Sequence, residues 1–321
     1  MAGYSWPDDF FDQKPRKELK EEVLRTTLYR LQKRGFVEHN NRIWKLTVKG
    51  KEYLETKLAN TPVSMAPVSP PPSIELIPGN EIIQGETLRV VYKNPGNASS
   101  SFVFQNKKYD FFDYNGEWNA LIPFAYNIAT GTLNLSIGSS TENIVINPGN
   151  FTVETIILPK LITSPALVAK YQQERKKVLA TYASSAPKIY FDKSFAFPLE
   201  SINITTNFGE TYFDPSDKSR SFHNGVDLRA DIGMPVKAIN DGIVKTADEY
   251  ILEGKFVMID HGFNIFSNYL HLSEIYVKTG EKVFKGQIIG LSGNSGKSVG
   301  PHLHFMVKIN DIPVDPLAFI K

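Results

Sequence analysis

The sequence predicts a mainly β chain: a small α+β segment, then two β-rich domains joined by a connecting helix. Three observations carry that prediction. Short alternating apolar segments, broken by Pro, Gly and Asn turn residues, recur from about residue 74 to the C-terminus. One strong helix start, Ser164-Pro165, interrupts them. A Pro/Ser-rich stretch over 61–73 sets apart a first segment with helical spacing. The 321 residues suffice for two or three cores. The divisions expected are 1–60, the linker 61–73, a β-sandwich over 74–160, a helix over 164–183 and a last domain over 189–321.

Composition narrows the chemistry. A net charge of +2 gives no whole-chain case for nucleic acid or membrane. With no cysteine, disulfides and thiolate metal sites are excluded, so any metal must be held by His and Asp or Glu. No run approaches the length of a transmembrane helix, so no transmembrane segment is expected. The acidic, aromatic start over 1–13 has no basic n-region and apolar h-region, so no secretion signal is visible.

Within 1–60, Leu24, Leu28 and Leu31 repeat at helical spacing among Arg25, Arg30, Lys33 and Arg34, and Gly35 reads as the stop. Alternation over 36–48 around Asn40-Asn41 predicts a hairpin, and 51–58 a second short helix. Helix, basic hairpin and helix resemble the C-terminal half of a winged-helix DNA-binding domain. Thirteen basic against nine acidic residues is only a mild excess, so nucleic acid and another protein are both open as partners of this segment.

Segments 88–92, 101–104, 133–137, 143–146 and 151–158 alternate between turn signals such as Asn115-Gly116 and Asn147-Pro148-Gly149, which predicts a small Ig-like β-sandwich. No cluster of catalytic residue types falls there. After Ser164-Pro165, Leu167, Tyr171, Val178 and Tyr182 mark one helix face expected to pack. Strands are then expected over 236–238, 242–246, 255–260, 265–270, 287–291 and 304–309.

Five of the six histidines lie between residues 223 and 304. A strand puts i and i+2 on one face, so His302 and His304 can enter one cavity while Leu303 points into the core. His223-x-x-x-Asp227 adds an imidazole and a carboxylate, the donor types of catalytic zinc sites. If His223, Asp227 and His304 bind the metal, a fourth position stays open for water, which points to a hydrolase. His261, in Asp260-His261-Gly262, reads as a turn-stabilising residue and His39 as an exposed loop residue. Gly293-Asn-Ser-Gly-Lys-Ser298 looks like the end of a P-loop, but Leu291 stands where that motif needs its first glycine.

The stretch 189–321 resembles the LytM/lysostaphin-type zinc metalloendopeptidases that cut peptidoglycan peptides, a family of duplicated hybrid motif fold. The resemblance rests on Phe208-Gly209, His223-Asn-Gly-Val-Asp227, Gly233-Met-Pro-Val236, Ile259-Asp-His-Gly262, Tyr269-Leu-His-Leu272, Val283-Phe-Lys-Gly-Gln287, Gly290-Leu-Ser-Gly293 and Ser298-Val-Gly-Pro-His-Leu-His-Phe305, in order. It implies a β-rich peptidase domain, one Zn²⁺ per chain on His223, Asp227 and His304, and His271 and His302 as catalytic histidines. It also implies peptidoglycan stem or cross-link peptides as substrate and action in the cell envelope. The β-module and following helix resemble the N-terminal half of two-part envelope members, which favours D-alanyl-diaminopimelate links over glycyl-glycine bridges. An arginine usual two residues after Phe-Gly is Thr211 here, which bears on substrate detail. The competing reading is an inactive, wall-binding or amidase-activating relative. Such relatives typically lose metal ligands, whereas all three positions are filled here.

Overall fold

The computed structural model describes residues 5–6, 28, 30–40, 43–53, 71–96, 99–155, 164–192, 194–214 and 218–320. The chain divides into two compact units, Met1–Ser69 and Pro70–Lys321. Most of the 61–73 linker, the first turns of the helix expected from Leu24, and 156–158 of the expected strand 151–158 lie outside the described residues.

In the first unit, helical residues end at Lys33, and Gly35 closes the following turn with a φ of 74° that suits a residue without a side chain. Strands Val37–Asn40 and Ile43–Leu46 then form an antiparallel hairpin, and Ser5–Trp6 pairs along its outer edge. The Thr47 side chain starts the next helical stretch by accepting from Gly50 N at 3.0 Å.

The second unit holds two β domains. In the first, the sheet of Ser73–Ile77, Thr87–Lys93, Glu117–Pro123 and Phe112–Tyr114 shares a core with the sheet of Gly131–Ile137, Ser140–Asn147 and Glu81–Ile83. Alternation sends Leu88, Val90 and Tyr92 from one sheet, and Leu135, Ile144 and Ile146 from the other, into that core. Asn115 and Gly116, both at positive φ (58° and 80°), make the tight turn expected of that pair. The expected strand 151–158 does not join this sandwich. Its described part, Val153–Thr155, runs parallel to Thr211–Asp214 of the next domain.

Helix Pro165–Tyr182 starts as expected, with Ser164 Oγ accepting from Leu167 N at 3.3 Å. Its apolar face packs less than expected. Leu167 is 37% exposed, and only Tyr182 is buried, with Val178 beside the same cluster. Polar contacts dock the helix instead: Glu174 accepts from Ile251 N at 3.0 Å and Lys177 reaches Asp248 at 3.0 Å.

The last domain is built on a long antiparallel sheet. Its order is Ile204–Thr206, Val226–Arg229, His302–Ile309, Ile265–Leu272, Gly254–Gly262, Gly242–Tyr250 and Lys282–Val283. A smaller sheet, Pro235–Lys237, Ile288–Leu291 and Glu274–Ile275, covers one face, joining Val236 and Ile289 to Val257, Ile259 and Phe305. Tyr182 of the helix covers Phe256, Met258 and Phe266 on the other. With both faces covered, every residue of Ile265–Leu272 is buried, and the polar ones among them are bonded: Ser267 to His261, Asn268 to Tyr182 and His271 to Ser295 O. His261 is fully buried within strand Gly254–Gly262 rather than in a turn. Its Nδ1 donates to Asp241 O at 2.7 Å and its Nε2 meets Ser267 Oγ at 2.8 Å. No helix among the described residues is long and apolar enough to cross a membrane.

Candidate metal centre

Register brings the site together. Antiparallel pairing of Val226–Arg229 with His302–Ile309 sets Asp227 directly opposite His304. His223 arrives from the end of strand Ser219–Phe222, and Gly225 lets the intervening turn pass close to the sheet. A Cβ on Gly225 would stand 2.5 Å from Phe305 O and 2.9 Å from His304 Nε2, closer than carbon contacts allow.

His223 Nδ1 lies 2.9 Å from Asn207 O, and because a carbonyl only accepts, that nitrogen carries the proton. Its Nε2 is then a lone pair, yet it faces Asp227 Oδ1 at 3.0 Å and His304 Nδ1 at 3.0 Å. His304 Nδ1 is 2.8 Å from the same Asp227 oxygen. Acceptors turned on one another at such distances need a proton or a cation among them. Four-coordinate zinc would hold such donors about 3.3 Å apart, close to what is seen. His223, Asp227 and His304 are the group among the described residues able to hold a metal ion.

The electrostatics agree. Burial opposes a charge on His223, but its hydrogen bond and attraction to Asp227 raise its pKa. Burial also opposes the Asp227 carboxylate, yet bonds from His223 and His304 hold it well below the usual carboxylate range. Burial lowers His304 against the pull of Asp227. The pocket therefore stabilises negative charge on Asp227 and, through it, a proton on His223, while it disfavours one on His304.

His302 and His271 stand beside this group. His302 Nδ1 donates to Gly300 O at 2.8 Å, leaving Nε2 free at 3.5 Å from Asp227 Oδ1. His271 Nδ1 donates to Ser295 O at 2.8 Å, and the His271 and His302 rings are 4.9 Å apart. A φ of 63° at His271, strained for a residue with a side chain, swings its ring out of the strand line towards the others. Burial first, then the charges of His304 and His302, lower His271 to about 4. Leu303 is fully buried between the two cleft histidines, as alternation demands.

These groups line an open cleft of about 430 Å³. One wall carries Glu154, Thr206 and Tyr212, and the other Leu252, Glu253 and the loop Gly296–Lys297–Ser298–Val299. Sequence reasoning missed the first wall. Tyr212 is buried enough that desolvation, opposed by its contact with Thr206, pushes its phenol up to about 12. Tyr212 lies on a hairpin, Thr211–Asp214 with Ser219–Phe222, whose polar composition hides its strands, and the outer neighbour Val153–Thr155 is far away in sequence.

Residues 221–316 match peptidase family M23. This domain is a peptidase family M23 domain. Over 180 residues the chain is 31% identical to an uncharacterized metalloprotease of Buchnera aphidicola, covering 54% of this chain and 47% of that protein. Over 122 residues it is 41% identical to the peptidoglycan DD-endopeptidase ShyA of Vibrio cholerae, covering 38% of this chain and 28% of that protein. The chain thus spans less than half the length of these curated relatives. A crystal structure described as a "putative peptidase M23" from Pseudomonas aeruginosa superposes with a TM-score of 0.57 at 25% identity, covering 74% of this chain and 94% of that one. That superposition is longer than the M23 match, so it takes in part of the chain before residue 221 as well. The M23 match implies a metal, and the His223, Asp227 and His304 group has the donor atoms that could hold one.

Proposed function

We propose that the chain is a zinc metalloendopeptidase that hydrolyses peptide cross-links of bacterial peptidoglycan in the cell envelope. One observation carries this reading: His223 Nε2, Asp227 Oδ1 and His304 Nδ1 converge at 2.8–3.0 Å, with two further imidazoles at the edge of the same cleft. His223, Asp227 and His304 would hold one Zn²⁺. When bound, it would supply a Lewis acid that acidifies water and polarises the scissile carbonyl.

The chain's own residues supply the rest. His271 and His302 each present a bare Nε2, because each Nδ1 donates to a carbonyl. Either Nε2 can take the proton of the attacking water and return it to the leaving amine. Neither, while neutral, offers a second N–H to a developing oxyanion. Tyr212 lines the same cleft, and its phenol, pushed up by burial, is a hydroxyl that can donate there. Identity to a protein named a DD-endopeptidase supports a D-alanyl-diaminopimelate link as the bond cut.

The test is to incubate zinc-loaded protein with purified cross-linked peptidoglycan, with and without chelator, and identify fragments by mass spectrometry. Chelator-sensitive loss of cross-linked dimers, with new free amines and intact glycan strands, is expected. Cross-links left whole by a protein carrying stoichiometric zinc would overturn the assignment.

A further inference from the structure

We propose that Glu210 is a positioning residue for the metal centre, a buried counter-charge that acts through Asn207 on the ring of His223. The inference rests on the reading of His223, Asp227 and His304 as metal ligands. Glu210 is 8% exposed, and no lysine or arginine pairs with it among the described residues. Thr211, not a basic residue, follows it. Its Oε1 accepts from Asn207 N at 2.9 Å and from Asn207 Nδ2 at 2.8 Å. Asn207 O in turn accepts from His223 Nδ1 at 2.9 Å. The main chain repeats the link: His223 N donates to Glu210 O at 2.8 Å, and Gly209 N to His223 O at 2.8 Å.

A carboxylate withdrawn from water costs several kcal/mol unless something of opposite charge compensates it. Two neutral donors on one residue do so only in part. A divalent ion on His223, Asp227 and His304 carries one positive charge beyond that of Asp227, and Glu210 balances it one residue away from the ligand. Fixing Asn207 also fixes which nitrogen of His223 is bare, as partners behind metal-bound histidines do. The segment has no room to drift. A Cβ on Gly209 would meet the Phe151 ring at 2.3 Å, and that ring packs edge-on against Phe208 with centroids 6.3 Å apart.

A counter-charge and a mere packing residue differ in sign. Glu210→Gln keeps the shape and an accepting oxygen but removes the charge. Zinc affinity, measured by competition with a chromophoric chelator, is expected to fall about ten-fold, and about a hundred-fold in Glu210→Ala. Melting of the metal-free Glu210→Gln protein is expected at or above the wild-type temperature, because a buried charge has gone. Wild-type zinc affinity in Glu210→Gln would overturn the proposal. So would a loss of affinity matched by an equal drop in metal-free melting temperature. A wild-type protein that binds no zinc would overturn the ligand assignment, and this proposal with it.

Discussion

Replacing Gly225 by alanine tests whether the site depends on the close passage of the 223–227 turn over the sheet. The new methyl carbon would lie 2.5 Å from Phe305 O, 2.9 Å from His304 Nε2 and 3.1 Å from His304 Cε1. Carbon needs about 3.4 Å from such atoms, so either the turn or His304 must move by several tenths of an ångström. Phe305 O is pinned in the sheet, opposite Val226 on one side and Tyr269 on the other, so the movement falls on the turn and on the His304 ring. Metal sites tolerate only about 0.2 Å in ligand distance. Zinc affinity is therefore expected to fall at least about ten-fold, with overpacking strain of about 1–3 kcal/mol on the fold. Chelator competition reads the first and denaturant melts of the metal-free protein the second. Wild-type zinc affinity in Gly225→Ala would refute the steric argument.

Three further outcomes follow from other parts of the structure. Tyr212→Phe removes the proposed oxyanion donor but no metal ligand, so kcat is expected to fall by about 10²-fold with zinc content unchanged; equal losses of zinc and activity would reassign Tyr212 to holding the site together. His261 is buried neutral, its pKa lowered by burial to about 4, against 6.5 unperturbed. Because the unfolded chain takes up that proton first, its contribution to stability is full above about pH 6.5 and lost as pH falls towards 4, by roughly 3 kcal/mol. Urea melts should find that window flatter by about that amount in His261→Gln, and an unchanged pH slope would contradict the assignment. Ser164→Ala removes the cap of the Pro165–Tyr182 helix and should cost about 1 kcal/mol or less, with activity untouched; a change in kcat would tie this helix to the cleft.

What the sequence made legible was local. His302-Leu303-His304 and His223-x-x-x-Asp227 sit on single strands or tight turns, so period-2 alternation alone sends their side chains to one face. Strand cores in the last domain were readable for the same reason, as was the Asn115-Gly116 turn. The strand Glu117–Pro123 was not, because Asn119 interrupts its apolar run; that side chain is buried to bond Arg89 and the carbonyls of Tyr114 and Glu117. His261 was misplaced because Asp-His-Gly has the composition of a turn, while the fold continues the strand through it. Asn207 and Glu210 matter through bonds to each other and to His223, and Tyr212 through a parallel strand far back in the chain, none of which leaves a trace in apolar spacing. The apolar spacing of Pro165–Tyr182 promised packing that the helix does not achieve, since its neighbours offer polar anchors instead.

The pairing of Val153–Thr155 with Thr211–Asp214 means that the chain's two β domains cannot be parted at the point where their sequences divide. A fragment beginning near residue 189 would contain every metal-binding and cleft histidine, and still lack the outer strand beside Tyr212. Its Thr211–Asp214 strand would present a bare row of amides and carbonyls, open to another copy of itself. Low activity or self-association of such a fragment would then measure a missing strand, not a lost targeting domain. A cut that keeps residues 151–155 attached, or supplies them as a separate peptide, is the one that isolates the M23 domain with its cleft whole.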